Sequence, residues 1–132
     1  MAHESHDHQS ATYGKQVLKE LSPLHRQLRQ AIPDVYKGFN ELSGAAFAEG
    51  ALPKKVKELM ALAIGVVEGC DGCVASHARA AVLAGATRQE AAEAIGVTFL
   101  MHGGPASIHG ARAYEAFCEF ADEAEARAAS QG

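Results

Sequence analysis

Two cysteines three positions apart, Cys70 and Cys73, and a histidine four positions beyond the second, His77, are the residues of this 132-residue chain whose spacing best suits covalent chemistry. The segment reads Glu68-Gly-Cys-Asp-Gly-Cys-Val-Ala-Ser-His77. It predicts a dithiol at the start of a helix, with His77 at i+4 from Cys73. Their Cβ atoms would lie about 6 Å apart on one face. A helix N-terminus and a neighbouring imidazolium both stabilise a thiolate. A thiolate beside a second thiol suits a redox cycle. Peroxide oxidises one sulfur to a sulfenic acid, the other condenses with it to a disulfide, and an external dithiol reduces the bridge.

Acidity alone supplies little of the rate. A free cysteine has a pKa near ~8.5, so about 3% is thiolate at pH 7. Lowering the pKa by about two units raises that fraction roughly 25-fold, but lowers intrinsic nucleophilicity about 6- to 10-fold. The larger factor must come from a positioned proton donor and an oriented O–O bond. His77 suits the proton work: it can take the thiol proton and return one to the leaving alkoxide or hydroxide. Two carboxylates are candidates to orient it. Glu68 sits at the mouth of the turn, where it can equally be solvated or oppose the thiolate. Glu58 lies two or three turns back on the preceding helix, which an antiparallel hairpin would bring alongside His77.

Those residues need helices to hold them, and the chain reads as helical throughout. Ser22-Pro23 is an N-cap followed by proline at a first helical position. Pro33 opens a segment from Asp34 to Phe47, with Val35, Phe39, Leu42 and Ala46 at helical spacing. Pro53 starts Lys54 to Val67, charged in its first turn and almost wholly apolar beyond Glu58. Gly69 interrupts it. The next helix begins near Cys70 and runs to Ala84, with Gly85 as its stop. Thr87-Arg-Gln-Glu90 fits a capping box. The stripe of the helix it opens is Ala91, Ala94, Ile95, Thr98, Phe99 and His102. After the Gly103-Gly-Pro105 turn a last helix runs to about Ala128, with Ile108, Tyr114, Phe117 and Phe120 inward. Residues 1–12, which carry His3, His6 and His8, read as a disordered tail or a metal-binding one, residues 13–128 as a single domain, and 129–132 as a second tail.

Composition narrows the function classes. A hydrophobic fraction of 48% supports a core, but aromatics are only 6% and Trp is absent, so small side chains carry much of it. Part of the apolar surface is therefore expected between subunits. A net charge of -4 with no basic face argues against nucleic acid. No apolar run reaches the ~20 residues of a membrane span, and the polar residues 1–8 lack the apolar stretch expected of a signal peptide. The expected setting is cytoplasmic, where a CxxC is catalytic or metal-binding rather than a structural bridge.

Glu58, Cys70, Cys73 and His77 together resemble the motif of the alkylhydroperoxidase D-like, or carboxymuconolactone decarboxylase, family. The glutamate lies twelve positions before the CxxC and the histidine four after it. The buried-helix text from Lys54 to Val67 and the Gly103-Gly-Pro105 turn are similar too, so the resemblance spans roughly residues 30 to 122. It implies an all-α AhpD-like bundle with the CxxC at a helix N-terminus, assembling as a homotrimer or homohexamer. It implies a thiol-dependent alkyl hydroperoxide reductase or disulfide oxidoreductase with no cofactor and no metal. Its partners would be a hydroperoxide and a dithiol, thioredoxin-like or lipoyl reductant. In its terms Cys73 attacks peroxide, Cys70 resolves, and Glu58 and His77 form the proton relay; helix-terminus physics alone favours Cys70 as the more acidic thiol. One departure is Gly72, where some family peroxidases carry a second histidine.

Other readings use the same residues. A lyase or decarboxylase-type enzyme acting on a lactone or keto acid would need only Glu58 and His77. A redox sensor would need only the dithiol. A zinc site would need Cys70, Cys73 and His77 with His102 or His109 as fourth ligand. Glu58 could pair merely with Lys54 or Lys55 at the surface. His102 and His109 read as site-entrance or ordinary surface residues. Cys118 reads as a small buried hydrophobe, and the Glu119–Glu125 run as a solvated face.

Overall fold

Glycine and proline set the helix ends, and the helix ends set the path of the chain. The computed structural model describes residues 12–131. Among these residues there are six α-helices, α1 (Lys15–Ala31), α2 (Pro33–Phe47), α3 (Lys54–Glu68), α4 (Asp71–Leu83), α5 (Arg88–His102) and α6 (Gly104–Gln131). No β-strand occurs among the described residues. The histidine-bearing segment expected to be a tail lies outside them, apart from Thr12.

The α1 helix departs from expectation. It begins at Lys15 and runs straight through Pro23, which was expected to open it. Proline lacks the N–H that would bond the carbonyl of Lys19, a loss that disfavours it in a helix interior. The apolar residues Leu18, Leu21, Leu24 and Leu28 keep helical spacing on both sides of it, and tertiary contact with α4 and α6 holds the N-terminal half. The amide of Lys15 also donates to Glu119 Oε1 of α6 at 3.1 Å.

The core lies between α3, α4, α5 and α6. Leu62, Val66, Phe117 and Phe120 fill it, surrounded by alanines such as Ala78, Ala81, Ala91 and Ala113. On α6 the inward face runs through Ala106, Gly110, Ala113, Phe117 and Phe120. Ile108 and Tyr114 were expected to share that face but are 57% and 37% exposed. Ile108 is two residues from Ala106, about 200° round the helix, and Tyr114 is one residue past Ala113. On α5, Ala91, Ile95 and Thr98 are buried, whereas Phe99 and His102 turn outward. Neither α1 nor α2 buries any residue fully. Along α1 and α2, Leu24, Leu28, Val35, Phe39 and Leu42 remain open to solvent.

The acidic run on α6 is a set of clasps rather than a free solvated face. Glu123 pairs with Lys15 at 2.9 Å, and Arg88 of α5 is held by Asp122 and Glu125. Lys55 of α3 reaches Glu90 of α5 at 3.0 Å. The capping box expected at Thr87 is present: the Glu90 amide donates to Thr87 Oγ1 at 3.0 Å, and the Thr87 amide donates to Glu90 Oε1 at 2.9 Å.

The hydrogen bond from the Thr87 backbone, and then Lys55, hold the Glu90 carboxyl below the usual carboxylate range. A carboxyl depressed in the folded state stabilises it above the unfolded-state pKa, and that contribution disappears as pH falls through the folded-state value. In urea unfolding at pH 7, Thr87→Ala should cost about 1 kcal/mol. Glu90→Gln should fall below the parent at neutral pH, with the gap closing on acidification. A gap that stays constant into acid would contradict the linkage.

Candidate active site

The dithiol sits on a two-residue corner between α3 and α4. Gly69 ends α3 with φ +65°, a left-handed conformation that glycine adopts at low cost. The Cys70 amide donates to the Gly65 carbonyl at 3.1 Å, which turns the chain sharply. Cys70 is then the N-cap of α4, and its sulfur accepts the Cys73 amide at 3.1 Å. The two cysteines are joined in a disulfide with Cα atoms 5.2 Å apart. Cys73 is exposed and Cys70 half-buried. Both helix-terminus effects act on Cys70: an amide donor on its sulfur and the positive end of the helix dipole.

The corner folds α3 back along α4 and brings Glu58 to His77. Glu58 is only 3% exposed, and its Oε1 lies 2.8 Å from His77 Nδ1. A carboxylate can only accept, so Nδ1 carries the proton and Nε2 of the neutral imidazole keeps its lone pair. Lys54, one turn earlier on α3, approaches the other Glu58 oxygen at 3.7 Å. The Phe47 ring of α2 lies 5.4 Å from the imidazole, centre to centre. Together these groups border an open cavity of about 580 Å³ whose wall includes Phe39, Phe47, Lys54, Glu58, Ser76 and His77. Neither cysteine lines that cavity; Cys73 lies one helical turn before His77 on α4.

The geometry therefore selects between the candidate carboxylates. Glu58 meets His77, whereas Glu68 is exposed at the end of α3. Glu58 is not a surface partner of Lys55, which is engaged with Glu90. The ligand set considered for zinc does not converge: no group of three or more His, Cys, Asp or Glu side chains is arranged to hold a metal among the described residues. Cys118 is half-buried rather than enclosed.

Two features of the corner were not legible beforehand. A Cβ placed on Gly72 would stand 2.8 Å from Leu21 Cδ1, so α1 lies over the space that a side chain between the cysteines would use. A histidine there would have to push Leu21 aside. The second feature is His109 of α6, read as an entrance or surface residue. Its Nε2 would be 3.3 Å from a Cβ on Gly69, against the corner itself. Its Nδ1 is shielded from solvent and has no hydrogen-bond partner. Nothing in the spacing of His109 from the CxxC signals this, because the contact depends on how α6 crosses α3.

The Glu58 contact makes a direct prediction for the imidazole. Nitrogen-resolved NMR of His77 should find the neutral ring protonated at Nδ1. In Glu58→Gln, whose amide can donate as well as accept, that tautomer preference should be lost while the helical circular dichroism is kept. An unchanged tautomer in the variant would remove Glu58 as the orienting group.

Comparison with known proteins gives the family and the fold. Residues 33–116 match the carboxymuconolactone decarboxylase family model. An uncharacterized protein of Cupriavidus necator is 38% identical over 100 residues, covering 74% of this chain and 88% of its own length. Uncharacterized protein 4 in the cox locus of Paracoccus denitrificans is 40% identical over 75 residues, covering 57% of this chain and 68% of its own. The crystal structure of an apo carboxymuconolactone decarboxylase family protein from Legionella pneumophila superposes with a TM-score of 0.78 at 39% identity, over 80% of this chain and 95% of that one. A second crystal structure, from Burkholderia xenovorans, shares the fold with a TM-score of 0.70 at 22% identity, over 86% and 97% of the two chains. A motif, a bundle and a family match that covers most of the helical region point one way: this chain belongs to the carboxymuconolactone decarboxylase family.

Proposed function

We propose that the chain is a thiol-dependent hydroperoxide reductase whose working parts are Cys70, Cys73, Glu58 and His77. The observation that carries the reading is the buried Glu58 carboxylate 2.8 Å from His77, one helical turn from a cysteine pair in bonding contact. In the reduced protein, His77 Nε2 takes the proton of Cys73, whose exposure leaves it open to a peroxide. The thiolate attacks the distal peroxide oxygen and the O–O bond breaks. Cys73 becomes a sulfenic acid, and the alkoxide leaves as the alcohol with the proton that His77 returns. Cys70 then displaces hydroxide from that sulfur, which departs as water, and the disulfide forms.

Regeneration follows from the different surroundings of the two sulfurs. A dithiol reductant reaches exposed Cys73 first. The sulfur it displaces, Cys70, accepts the Cys73 amide at the head of α4, so negative charge on the leaving thiolate is stabilised. The second reductant thiol closes its own disulfide and frees Cys73. Gly72 in place of a second histidine leaves His77 as the proton carrier of this scheme. The uncovered apolar residues of α1 and α2 support assembly as a homo-oligomer, and the reading places the protein in a reducing, cytoplasmic setting.

One observation favours a second reading. The cavity beside His77 is lined by Glu58 and Lys54 but by neither cysteine. A lyase of the same family, acting on a lactone or keto acid, would use that cavity with no redox step.

The two readings separate on cysteine replacement. With a dithiol reductant in excess, Cys73→Ser should lower hydroperoxide consumption by at least about 100-fold, since no other nucleophile shares its position. Unchanged turnover would remove Cys73 from the mechanism. If Cys70→Ser/Cys73→Ser keeps full activity on a lactone or keto acid, the lyase reading replaces the peroxidase one.

A further inference from the structure

A second cleft adjoins the His77 cavity, and its chemistry is different. It has a volume of about 430 Å³ and opens between α1, α2 and α4. Arg29 and His25 face it from α1, Tyr36 and Asn40 from α2, and Arg79 from α4. No Asp or Glu lines it, in a chain with 16 acidic against 12 basic residues. Phe39 and Ser76 line both this cleft and the His77 cavity, so the two are parts of one groove.

The cations of the cleft are available to a ligand. Neither Arg29 nor Arg79 forms an ion pair with a carboxylate among the described residues. Arg29 lies over the Tyr36 ring, 5.8 Å from its centre. Tyr36 is steadied in turn by a 3.2 Å hydrogen bond between its hydroxyl and His25 Nδ1. Arg79 lends positive charge to Glu123, but that carboxylate is already paired with Lys15 at 2.9 Å and Arg127 at 3.7 Å. Other well-placed cations in this fold, such as Arg88 and Lys55, are consumed by carboxylates. Two arginines without carboxylate partners thus line one cleft together with Ser22, His25, Tyr36 and Asn40, a set of hydrogen-bonding groups suited to an anion. Guanidinium groups bind carboxylates through paired, charge-assisted hydrogen bonds.

We infer that the Arg29–Arg79 cleft is a carboxylate subsite, and that the preferred substrate is an organic hydroperoxide carrying a carboxylate at the end remote from the peroxide. The carboxylate sits between Arg29 and Arg79. The apolar chain crosses Phe39, and the peroxide end lies toward Cys73 and His77. The substrate assignment rests on the peroxidase reading; the carboxylate subsite does not. A net-negative protein repels anions at long range, so a local cationic cleft confers selectivity that neutral hydroperoxides do not share.

The test measures binding and turnover separately. Octanoate is titrated into the oxidised protein, with octanol as the uncharged control, and the backbone amide signals of Ser76 and Arg79 are followed by NMR. Octanoate should shift both signals. In Arg29→Gln/Arg79→Gln its dissociation constant should rise at least about tenfold, with octanol unaffected. Arg29→Lys/Arg79→Lys should recover part of the affinity. Both arginines are solvent-exposed in the parent, and an unchanged thermal midpoint checks the fold. In turnover, the glutamine pair should raise KM for a carboxylated hydroperoxide by the same factor, leaving kcat and the turnover of tert-butyl hydroperoxide as they were. Octanoate that binds the parent and the glutamine pair equally, or binds neither, overturns the subsite. Octanoate binding that depends on the arginines, in a protein that turns over no hydroperoxide, keeps the subsite and removes the peroxide.

Discussion

A carboxylate buried to 3% exposure is costly unless it is hydrogen-bonded, and the Glu58–His77 contact is how this fold meets that requirement. The contact joins α3 to α4 and fixes both the rotation of the imidazole and the side of the ring that holds the proton. It also constrains the corner. For Glu58 and His77 to meet, α3 must reverse within the Gly69–Cys70 turn, and that reversal places Cys70 at the N-cap of α4. The position of the dithiol and the orientation of the base are therefore consequences of one hairpin. Lys54 contributes at longer range, 3.7 Å from the second carboxylate oxygen, and is itself partly solvated, so its effect is screened.

The alanine-rich core suits this purpose. Small side chains let α3 and α4 approach closely enough for the Glu58–His77 contact to form, but each buries little apolar area. The compensation is visible in two places. Charged clasps hold the helix ends, with Arg88, Lys15 and Lys55 reaching across to carboxylates on neighbouring helices. Large apolar residues instead point outward from α1 and α2, where Val35, Phe39 and Leu42 are each more than 60% exposed. An uncovered stripe of this kind is the surface that the proposed homo-oligomer would cover. Phe39 belongs both to that stripe and to the wall of the groove, so any association of α2 would bear on the site as well.

Much of the site was legible in the sequence because its residues lie on two consecutive helices. Hairpin geometry between neighbours is local, so spacing offered Glu58 and Glu68 as partners of His77 and the family resemblance favoured Glu58, while the capping box at Thr87 needed only four residues to announce itself. The misreadings came from longer range. Ser22-Pro23 carries a strong helix-start signal, yet the contacts of α1 with α4 and α6 extend the helix through it. Ile108 and Tyr114 are large and apolar, but the inward face of α6 is set by where Ala106, Gly110 and Ala113 allow α5 to approach. His109 against Gly69, Leu21 over Gly72 and the pairing of Arg29 with Arg79 across one cleft all depend on how distant helices cross. No periodicity within a helix encodes such crossings.

The proposed chemistry requires an imidazole, held by a buried carboxylate, to move protons for the neighbouring sulfurs. The most direct measurement is the rate at which fully reduced protein closes the Cys70–Cys73 bridge after one equivalent of hydroperoxide, followed by intact mass in the parent and in Glu58→Gln. Loss of the oriented base should slow closure by about 100-fold while the final disulfide still forms. Equal rates in the two proteins would contradict the account.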